Sequence, residues 1–443
     1  MCRQSFLLIF AVSISLVHSS VSFADTYSLK TLSTFIGTGP DDFGSISPPA
    51  LPTWLNSEEP IGGLVRDANG NLFGTSFVGG SASGPGGTVF EIKADAQSAV
   101  TLHSFDSSLS SSAMDEGFNP EGSLVIDSSG NLYGTTSRSF NGAGTIFKIS
   151  ASTHTLTTLY KFTGGADGGQ PVAGLTADAN GNLYGTTVGY GNPGTVFELS
   201  ANSNTLTTLH TFTNADGGST LAGLTFDLSG NLYGTTSREG ANGLGTVFEI
   251  SAGTHEFNTL VTFDGSNGAV PTYGNLTIDS HGNLYGATSS GGANGLGTIF
   301  EIAAGTHELT TLASFDGTNG ANPVSSLIFD ANGNLFGTAQ NGGANNAGTV
   351  FELVAGTHTL ISLHDFNELE GSSPVGGVIA DANGNLYGTT MIGGNYEGLP
   401  LNNGTVFELV RTVPETNSFL LMAIVLVGSL GIRTLAAMRR ASS

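Results

Sequence analysis

Short runs of β-forming residues alternate with turns rich in Gly, Asn and Asp, and this pattern recurs along most of the chain. Each repeat contains four runs. They are a small-residue and Leu/Val stretch such as residues 173–176 (AGLT), the core D-x-x-G-N-L-[YF]-G, the motif G-T-[VI]-F-[EK], and a Thr-rich run such as residues 205–212 (TLTTLHTF). Asn-Gly between two β-type runs is a strong hairpin signal. We therefore predict that all four runs are strands.

The fourth run is the least clear of the four. Leu209 and Phe212 lie three residues apart, a spacing that also suits a helix. The Thr content and the short length favour a strand. Leu209 and Phe212 are then expected to point to opposite faces of a sheet that is covered on both sides.

The core motif occurs seven times, with neighbouring copies mostly about 51 residues apart. It begins at Asp67, Asp127, Asp178, Asp227, Asp279, Asp330 and Asp381. A period of this length with four short strands is typical of a β-propeller blade. The chain is therefore predicted to be all-β, with one seven-bladed β-propeller over residues 25–412.

The order of the repeats indicates how the ring closes. The first Thr-rich run extends from Thr26 to Phe35 and precedes the first core, whereas no such run follows Phe407. The chain thus starts with a fourth strand and ends with a third strand. We expect the N-terminal strand to complete the last blade, which also removes exposed sheet edges.

Two recurring residue types are predicted to shape the blades. The core aromatics and the Phe of each G-T-[VI]-F motif are expected to pack between blades. The glycine after each core aromatic, such as Gly185, is expected to permit close backbone approach in the inner strands.

Composition limits the partners of the chain. Its 443 residues include 66 Gly and only 11% charged residues. Between residues 25 and 415, eight Lys and Arg face 35 carboxylates, which leaves a net charge of −27. Such a body is a poor nucleic-acid binder, because that affinity comes mainly from Lys and Arg contacts to phosphate. Cations or neutral sugars are easier partners.

The N-terminus has the pattern of a secretory signal peptide over residues 1–24. Arg3 precedes an apolar run, and small residues lead to a cleavage site between Ala24 and Asp25. The only cysteine, Cys2, lies within this signal, so the mature chain cannot form a disulfide.

The C-terminus, residues 413–443, has the pattern of a membrane stop. Val413-Pro414-Glu415 precedes an apolar segment over residues 419–438 and a basic end, which places the large domain outside the cytoplasm. This tail resembles the PEP-CTERM sorting signal, although it reads VPET rather than VPEP. The resemblance implies an exosortase-type sorting enzyme, cleavage near Pro414-Glu415 and release to the envelope or extracellular matrix. The alternative is a permanent membrane anchor.

The repeats resemble a known family of tandem-repeat proteins called GloVer-containing, whose members differ in their surface anchor. Residues 181–187 (GNLYGTT) and 194–198 (GTVFE) carry this resemblance, which covers nearly all of residues 26–409. The family implies an exported surface protein built from repeats, and it implies no reaction.

Candidate metal sites are weak. Asp178, Asn180 and Asn182 are spaced like the start of an EF-hand loop, but the trailing glutamate is absent. An Asp that caps its own turn is the simpler interpretation, and calcium stays open. Equivalent histidines on different blades would lie too far apart to chelate one ion. No cofactor and no metal ligand are assigned.

Two long connections break the regularity, at residues 37–62 and 106–120. The first holds the weak ligand-binding candidates Asp41, Asp42, Trp54, Glu58 and Glu59. The alternative is a solvated loop with Trp54 over the channel mouth.

No nucleophile elbow, zincin motif or P-loop occurs in the repeats, and no catalytic residue is assigned. The sequence thus favours a non-enzymatic, exported module that binds or supports exopolysaccharide. The alternative is a secreted carbohydrate-active hydrolase or lyase that uses acidic residues on the loop face.

Overall fold

The computed structural model describes residues 26–35, 60–80, 84–96, 98–107, 116–139, 142–189, 194–396, 399–400 and 404–412. Within these ranges the chain forms β-strands joined by turns, and no α-helix occurs. The strands form seven sheets that are the blades of a β-propeller. The predicted all-β, seven-bladed fold is confirmed. No helix in the described part of the chain is long and apolar enough to cross a membrane, and residues 419–438 lie outside that part.

Blades are numbered by their D-x-x-G-N cores, and the strands of a blade are hydrogen-bonded in chain order except in blade 7. The first strand of every blade has only two residues. It still pairs with the second strand, because the tight turn between them fixes the hairpin. The strands of blade 1 are Val65–Arg66, Leu72–Ser76, Pro85–Ile92 and Val100–Asp106; of blade 2, Val125–Ile126, Leu132–Thr136, Thr145–Ile149 and Leu156–Lys161; of blade 3, Thr176–Ala177, Leu183–Thr187, Thr195–Leu199 and Leu206–Thr211; of blade 4, Thr225–Phe226, Leu232–Thr236, Thr246–Ile250 and Phe257–Thr262. The strands of blade 5 are Thr277–Ile278, Leu284–Thr288, Thr298–Ile302 and Leu309–Ser314. The strands of blade 6 are Ile328–Phe329, Leu335–Asn341, Thr349–Leu353 and Leu360–Asp365, and an extra strand, Ala321–Pro323, also pairs with the second of these. The strands of blade 7 are Ile379–Ala380, Leu386–Thr390, Thr405–Thr412 and Thr26–Thr34. Between the second and third strands of blade 7 the chain forms a small hairpin, in which Asn395–Tyr396 pairs with Leu399–Pro400.

The N-terminal strand closes the ring as predicted. Thr26–Thr34 is hydrogen-bonded to Thr405–Thr412 as the outermost strand of blade 7. The backbone N–H of Phe35 donates to the carbonyl of Gly404 at 3.2 Å. The same bond joins Phe212 to Gly194 in blade 3, at 3.0 Å. The N-terminal strand therefore occupies the position of an ordinary fourth strand.

The hydrophobic core lies between neighbouring blades, in one cluster for each pair. The cluster between blades 7 and 1 contains Leu32, Phe35 and Phe90. The rings of Phe35 and Phe90 are 5.1 Å apart in an edge-to-face contact, as are those of Phe162 and Phe197 at 5.2 Å between blades 2 and 3. The predicted packing of these aromatics between blades is confirmed, because the Phe of every G-T-[VI]-F motif is fully buried.

The expected orientation of the fourth strand is wrong. Leu209 and Phe212 both pack in the cluster between blades 3 and 4, on the same face. Val196 pairs with His210 whereas Phe197 pairs with Thr208, so Leu209 is an extra residue in a β-bulge. A bulge shifts the alternation by one position, and two residues three apart then share a face.

The role expected of Gly185 also needs correction. A Cβ atom at this position would lie 2.6 Å from Cζ of Phe197 and 3.0 Å from Cδ2 of Leu175. Phe197 is the cross-strand partner of Gly185, and its ring lies over the glycine. The close neighbours are therefore side chains, not a backbone. The equivalent glycines meet the Phe ring in the same way, for example Gly234 and Gly286.

Candidate functional site

The D-x-x-G-N core forms a turn in which the aspartate accepts hydrogen bonds from backbone and side-chain N–H groups of the same turn. In blade 3, Oδ1 of Asp178 accepts the backbone N–H groups of Asn180 and Asn182, both at 2.9 Å. Its Oδ2 accepts the side-chain amide of Asn182 at 2.9 Å. Oδ1 of Asn182 accepts the N–H of Ala201 at 3.0 Å, which ties this turn to the turn after the third strand. The predicted turn-capping role of the aspartate is confirmed.

These bonds also set the charge state of the aspartate. Burial disfavours the ionised carboxylate of Asp127, but hydrogen bonds from Asn131, Tyr133 and Ser129 outweigh burial and lower its pKa. Asp279 and Asp381 have lowered pKa values for the same reasons. Among the described residues, no three His, Cys, Asp or Glu side chains are grouped so that they could hold a metal ion. The recurrence of Asp and Asn is explained by the turn itself.

The recurrent threonines are engaged in internal hydrogen bonds as well. The first Thr after the core glycine donates to a carbonyl of the next blade, as Thr186 does to Ala222 at 3.0 Å. The second Thr pairs with the Thr of G-T-[VI]-F, as Thr187 does with Thr195 at 2.9 Å. Both members of that pair are fully buried. Most hydroxyl groups of the G-T-T signature are therefore engaged inside the fold, and Thr235 of blade 4 is an exception.

The two recurrent sets of histidines have separate local roles. His154, His255, His307 and His358 close the turns between third and fourth strands with positive φ angles of 52° to 55°. His is one of the residue types that tolerate this region of backbone space. In the second set, Nε2 of His210 lies 3.2 Å from Oδ2 of Asp216, which belongs to the connection that follows the strand of His210. Burial lowers the pKa of His210, although Asp216 opposes this shift.

The residues that precede the first strands line the central channel. In six of the seven blades, two small residues place the backbone against the neighbouring blade, and blade 5 has Gly and Asn there. A Cβ atom at Gly122 would lie 2.5 Å from the carbonyl carbon of Ala173. The N–H of Gly63 donates to Oγ of Ser123 at 2.9 Å, and the N–H of Asn275 donates to Oγ of Ser326 at 2.9 Å. These contacts leave a channel cavity of about 70 Å³, lined by residues of all seven blades. That volume is equivalent to about two water molecules.

Two residues on this channel depart from the repeat. In blade 2, Glu121 occupies a position that is apolar in five other blades. The apolar equivalents are Ile61, Val172, Leu221, Val324 and Val375. Blade 5 has one additional residue, so that Thr272 and Tyr273 both lie between Pro271 and Gly274. Glu121 and Tyr273 line the same cavity. We call Glu121, Tyr273 and this cavity the channel site.

The electrostatics of the channel site differ from those of the turns. Burial raises the pKa of Glu121, and a hydrogen bond from Ser137 and the charge of Arg138 only partly oppose this shift. Burial also raises the pKa of Tyr273, and the negative charge of Glu121 adds to it. The Tyr273 side chain is 40% exposed. The channel site thus offers a carboxyl group and a phenol hydroxyl as hydrogen-bonding groups, and an accessible aromatic ring.

The insertion in blade 5 also leaves polar groups without partners. Oγ1 of Thr235 is the blade 4 counterpart of the Thr186 hydroxyl, but it makes no hydrogen bond within the described part of the chain. Oγ1 of Thr272, inside the insertion, is likewise buried and unpaired there. Unsatisfied buried hydroxyls are rare in folded proteins and mark this side of the channel as atypical.

The structure does not describe the site residues that the sequence predicted. Asp41, Asp42, Trp54, Glu58 and Glu59 are outside the described residues, as are Ala24, Asp25 and Val413-Pro414-Glu415. Both long connections do join a fourth strand to a first strand, as predicted, and their described ends contribute Gly62 and Glu121 to the channel wall. The sequence reasoning missed Glu121 and Tyr273. Alignment of the seven repeats position by position could have identified both.

A family model described as the Gloeobacter/Verrucomicrobia repeat matches residues 53–243 and 223–421. These ranges include all seven cores. The chain belongs to this family. The Gloeobacter/Verrucomicrobia repeat thus corresponds to propeller blades, with the G-N-L-Y-G and G-T-V-F motifs as second and third strands. No curated protein sequence matches the chain.

Two solved structures that are similar to this member of the Gloeobacter/Verrucomicrobia repeat family are distant from it in sequence. The extracellular domain of a protein assigned to the one-component systems of B. thetaiotaomicron has a TM-score of 0.52 at 13% identity. The match covers 80% of this chain and 38% of that one. An auxiliary nutrient binding protein from Bacteroides thetaiotaomicron has a TM-score of 0.47 at 12% identity, with 88% and 77% covered. The first of these likenesses concerns the fold alone.

Proposed function

We propose that this chain is an exported β-propeller of the cell surface or extracellular matrix, and that its channel site binds an extracellular polysaccharide. One observation carries the proposal. Glu121 and Tyr273 are separate departures from the repeat, on blades 2 and 5, and they line one cavity. The repeated Asp and Asn side chains of the turns and most of the repeated Thr side chains are engaged in internal hydrogen bonds. Specificity for a ligand must therefore come from the residues that depart from the pattern.

The chemistry of the channel site suits a neutral sugar polymer. A phenol ring provides a flat apolar surface with a polar end, and a carboxyl group can exchange hydrogen bonds with sugar hydroxyls. The net charge of −27 over residues 25–415 repels polyanions. The cavity admits only a small group such as one hydroxymethyl arm. The polymer would accordingly lie across the channel mouth rather than enter it.

Export is supported by the sequence at both ends. Residues 1–24 have the pattern of a signal peptide, and residues 413–443 resemble a PEP-CTERM signal that an exosortase would process. An extracellular domain of the same fold in B. thetaiotaomicron is compatible with this location. Mass spectrometry of the mature protein tests it. We expect a chain that begins at Asp25 and ends near Pro414-Glu415, and a chain that ends at Ser443 would refute the sorting step.

The alternative of a carbohydrate-active hydrolase or lyase also has one supporting feature. A carboxyl group with a raised pKa, such as Glu121, is suited to act as a general acid. Glycoside hydrolysis commonly needs a second carboxylate on the other side of the scissile bond. Among the described residues that line the channel cavity, Glu121 is the only acid. Binding without turnover is therefore the better proposal.

A binding screen and a turnover assay on the same polymers test the proposed function. The probes are the matrix polysaccharide of the source bacterium and a panel of neutral glucans and galactans. We expect saturable binding that Tyr273→Ala weakens at least about tenfold, as loss of an aromatic hot spot does. Leu228→Ala is the control, because Leu228 is fully exposed on a turn of blade 4. Equal binding by Tyr273→Ala would contradict the assigned site, and release of reducing ends would favour the hydrolase.

A further inference from the structure

A second cavity lies between blades 1 and 2, beside the D-x-x-G-N turns. It has a volume of about 260 Å³. Its lining includes Asp67, Phe73 and Glu91 from blade 1 and Ile126, Ile149 and His154 from blade 2. We call it the blade 1–2 cleft. It combines an apolar wall with a few polar groups, which is typical of a small-molecule site.

Other blades show what normally occupies the corresponding position. In blade 5, the hydroxyl of Tyr285 lies 3.3 Å from Oδ2 of Asp279 and 3.0 Å from Oε1 of Glu301. In blade 7, the hydroxyl of Tyr387 makes the same two contacts at 3.2 and 2.9 Å, and blade 4 repeats them. One O–H group thus lies within hydrogen-bond distance of the carboxylate of the turn and that of the third strand, and its single proton is donated to one of them at a time.

Blade 1 keeps both carboxylates but lacks the bridge. Phe73 pairs with Glu91 across the strands just as Tyr285 pairs with Glu301. Asp67 is held by its turn, with the backbone and side-chain N–H groups of Asn71 both at 2.8 Å. The Phe73 ring has no hydroxyl group. Within the described part of the chain, no residue donates a hydrogen bond to the carboxylate of Glu91.

We propose that the blade 1–2 cleft binds a small organic ammonium compound. Its N–H groups would donate to Glu91 and Asp67 in place of the missing tyrosine hydroxyl. Its apolar body would lie against Phe73 and Ile126. An ammonium group above a phenyl ring gains a cation–π contribution in addition to the charge-assisted hydrogen bonds.

Charge and size favour an ammonium ion over a neutral alcohol. The described residues that line the cleft include two carboxylates and no Lys or Arg. The same surroundings in blade 3 raise the pKa of Tyr184 to about 12, first through burial and then through the charges of Glu198 and Asp178. Burial disfavours a charge of either sign, but the two carboxylates that oppose a phenolate here attract an ammonium group. A cavity of about 150 Å³ can hold benzene, so the larger cleft has room for a substituted ring.

The test uses 2-phenylethylamine as the probe and 2-phenylethanol as its neutral isostere. Binding to the intact chain is measured by calorimetric titration and by ligand-observed NMR. The decisive variant is Phe73→Tyr, which adds the bridging hydroxyl found in blades 4, 5 and 7 and should fold normally for that reason. Phe336→Tyr is the matched control, because blade 6 also has Phe in this position but its Glu352 already has another interaction. Glu91→Gln removes the charge alone.

We expect saturable binding of the amine by the wild-type chain and by Phe336→Tyr. Phe73→Tyr and Glu91→Gln should each bind at least tenfold more weakly, and the alcohol should bind at least tenfold more weakly to the wild type. Unchanged affinity in Phe73→Tyr would overturn the assigned position. Equal affinity for amine and alcohol, or no saturable binding of the amine, would overturn the assigned chemistry. The channel site is not involved, so these outcomes are independent of the polysaccharide proposal.

Discussion

Replacing the aspartate of one turn by asparagine distinguishes a structural turn from a calcium site. In blade 5, Oδ1 of Asp279 accepts the N–H groups of His281 and Asn283 at 2.8 and 2.9 Å. Its Oδ2 accepts the Asn283 side chain at 2.9 Å and the Tyr285 hydroxyl at 3.3 Å. In Asp279→Asn, the remaining oxygen can keep the two backbone bonds, while the new amide opposes the other two donors.

The size of the effect follows from these partners. The Tyr285 hydroxyl can still donate to Glu301 at 3.0 Å, and the His281 ring, 3.7 Å from Oδ2, is largely exposed to water, so the main loss is the acceptor of the Asn283 side chain. The Asp279 side chain is 18% exposed, and water replaces the lost bond only in part. Loss of one hydrogen bond to a charged acceptor costs about 1.5–3 kcal/mol. We expect the free energy of unfolding to fall by about that amount.

The assay is urea unfolding followed by far-UV circular dichroism, with added calcium or with a chelator. Asp95→Asn is the control, because Asp95 is an exposed aspartate outside the repeated turns. The structural account predicts a lower midpoint for Asp279→Asn and no dependence on calcium. A wild-type chain that calcium stabilises, together with an Asp279→Asn variant that it does not, would show that the aspartate is a metal ligand and would refute the reasoning.

Three further predictions concern packing and charge. Phe197→Ala should lower the free energy of unfolding by about 3–5 kcal/mol, because the ring is fully buried between blades 2 and 3; near-zero loss in urea titration would argue against this packing. Gly185→Ala should cost about 1–3 kcal/mol because its Cβ would press on the Phe197 ring, and a stabilised variant would show that the ring moves freely. Stability to urea should fall as the pH drops below about 4, since the lowered pKa values of the turn aspartates, for example Asp127, mean that the unfolded chain binds protons more readily; an unchanged midpoint at pH 3 would contradict this.

The architecture could be predicted from the sequence because each blade repeats the same information. The seven cores gave the blade number, and the position of residues 26–35 before the first core indicated the ring closure. The faces of the fourth strand could not be predicted, because the bulge at Leu209 depends on pairing with Val196 and Phe197. The neighbour of Gly185 could not be predicted either, since it depends on where the Phe197 ring turns.

The candidate site was less accessible from sequence than the fold. Glu121 and Tyr273 differ visibly from their equivalents, but they are about 150 residues apart and only the ring brings them to one cavity. Phe73 is even harder to recognise from the sequence, because Phe and Tyr are interchangeable in a hydrophobic pattern. Its meaning emerges only when the tyrosine hydroxyls of blades 4, 5 and 7 are seen to bridge two carboxylates.

Hydrogen exchange of the N-terminal strand tests ring closure most directly, and both cavities depend on that closure. The amides of residues 26–34 would be compared by mass spectrometry with those of residues 206–211, the equivalent strand of blade 3. If the strand completes blade 7, both segments will be protected to a similar degree. Exchange of residues 26–34 at the rate of an unstructured peptide, while residues 206–211 stay protected, would contradict the closed seven-bladed ring.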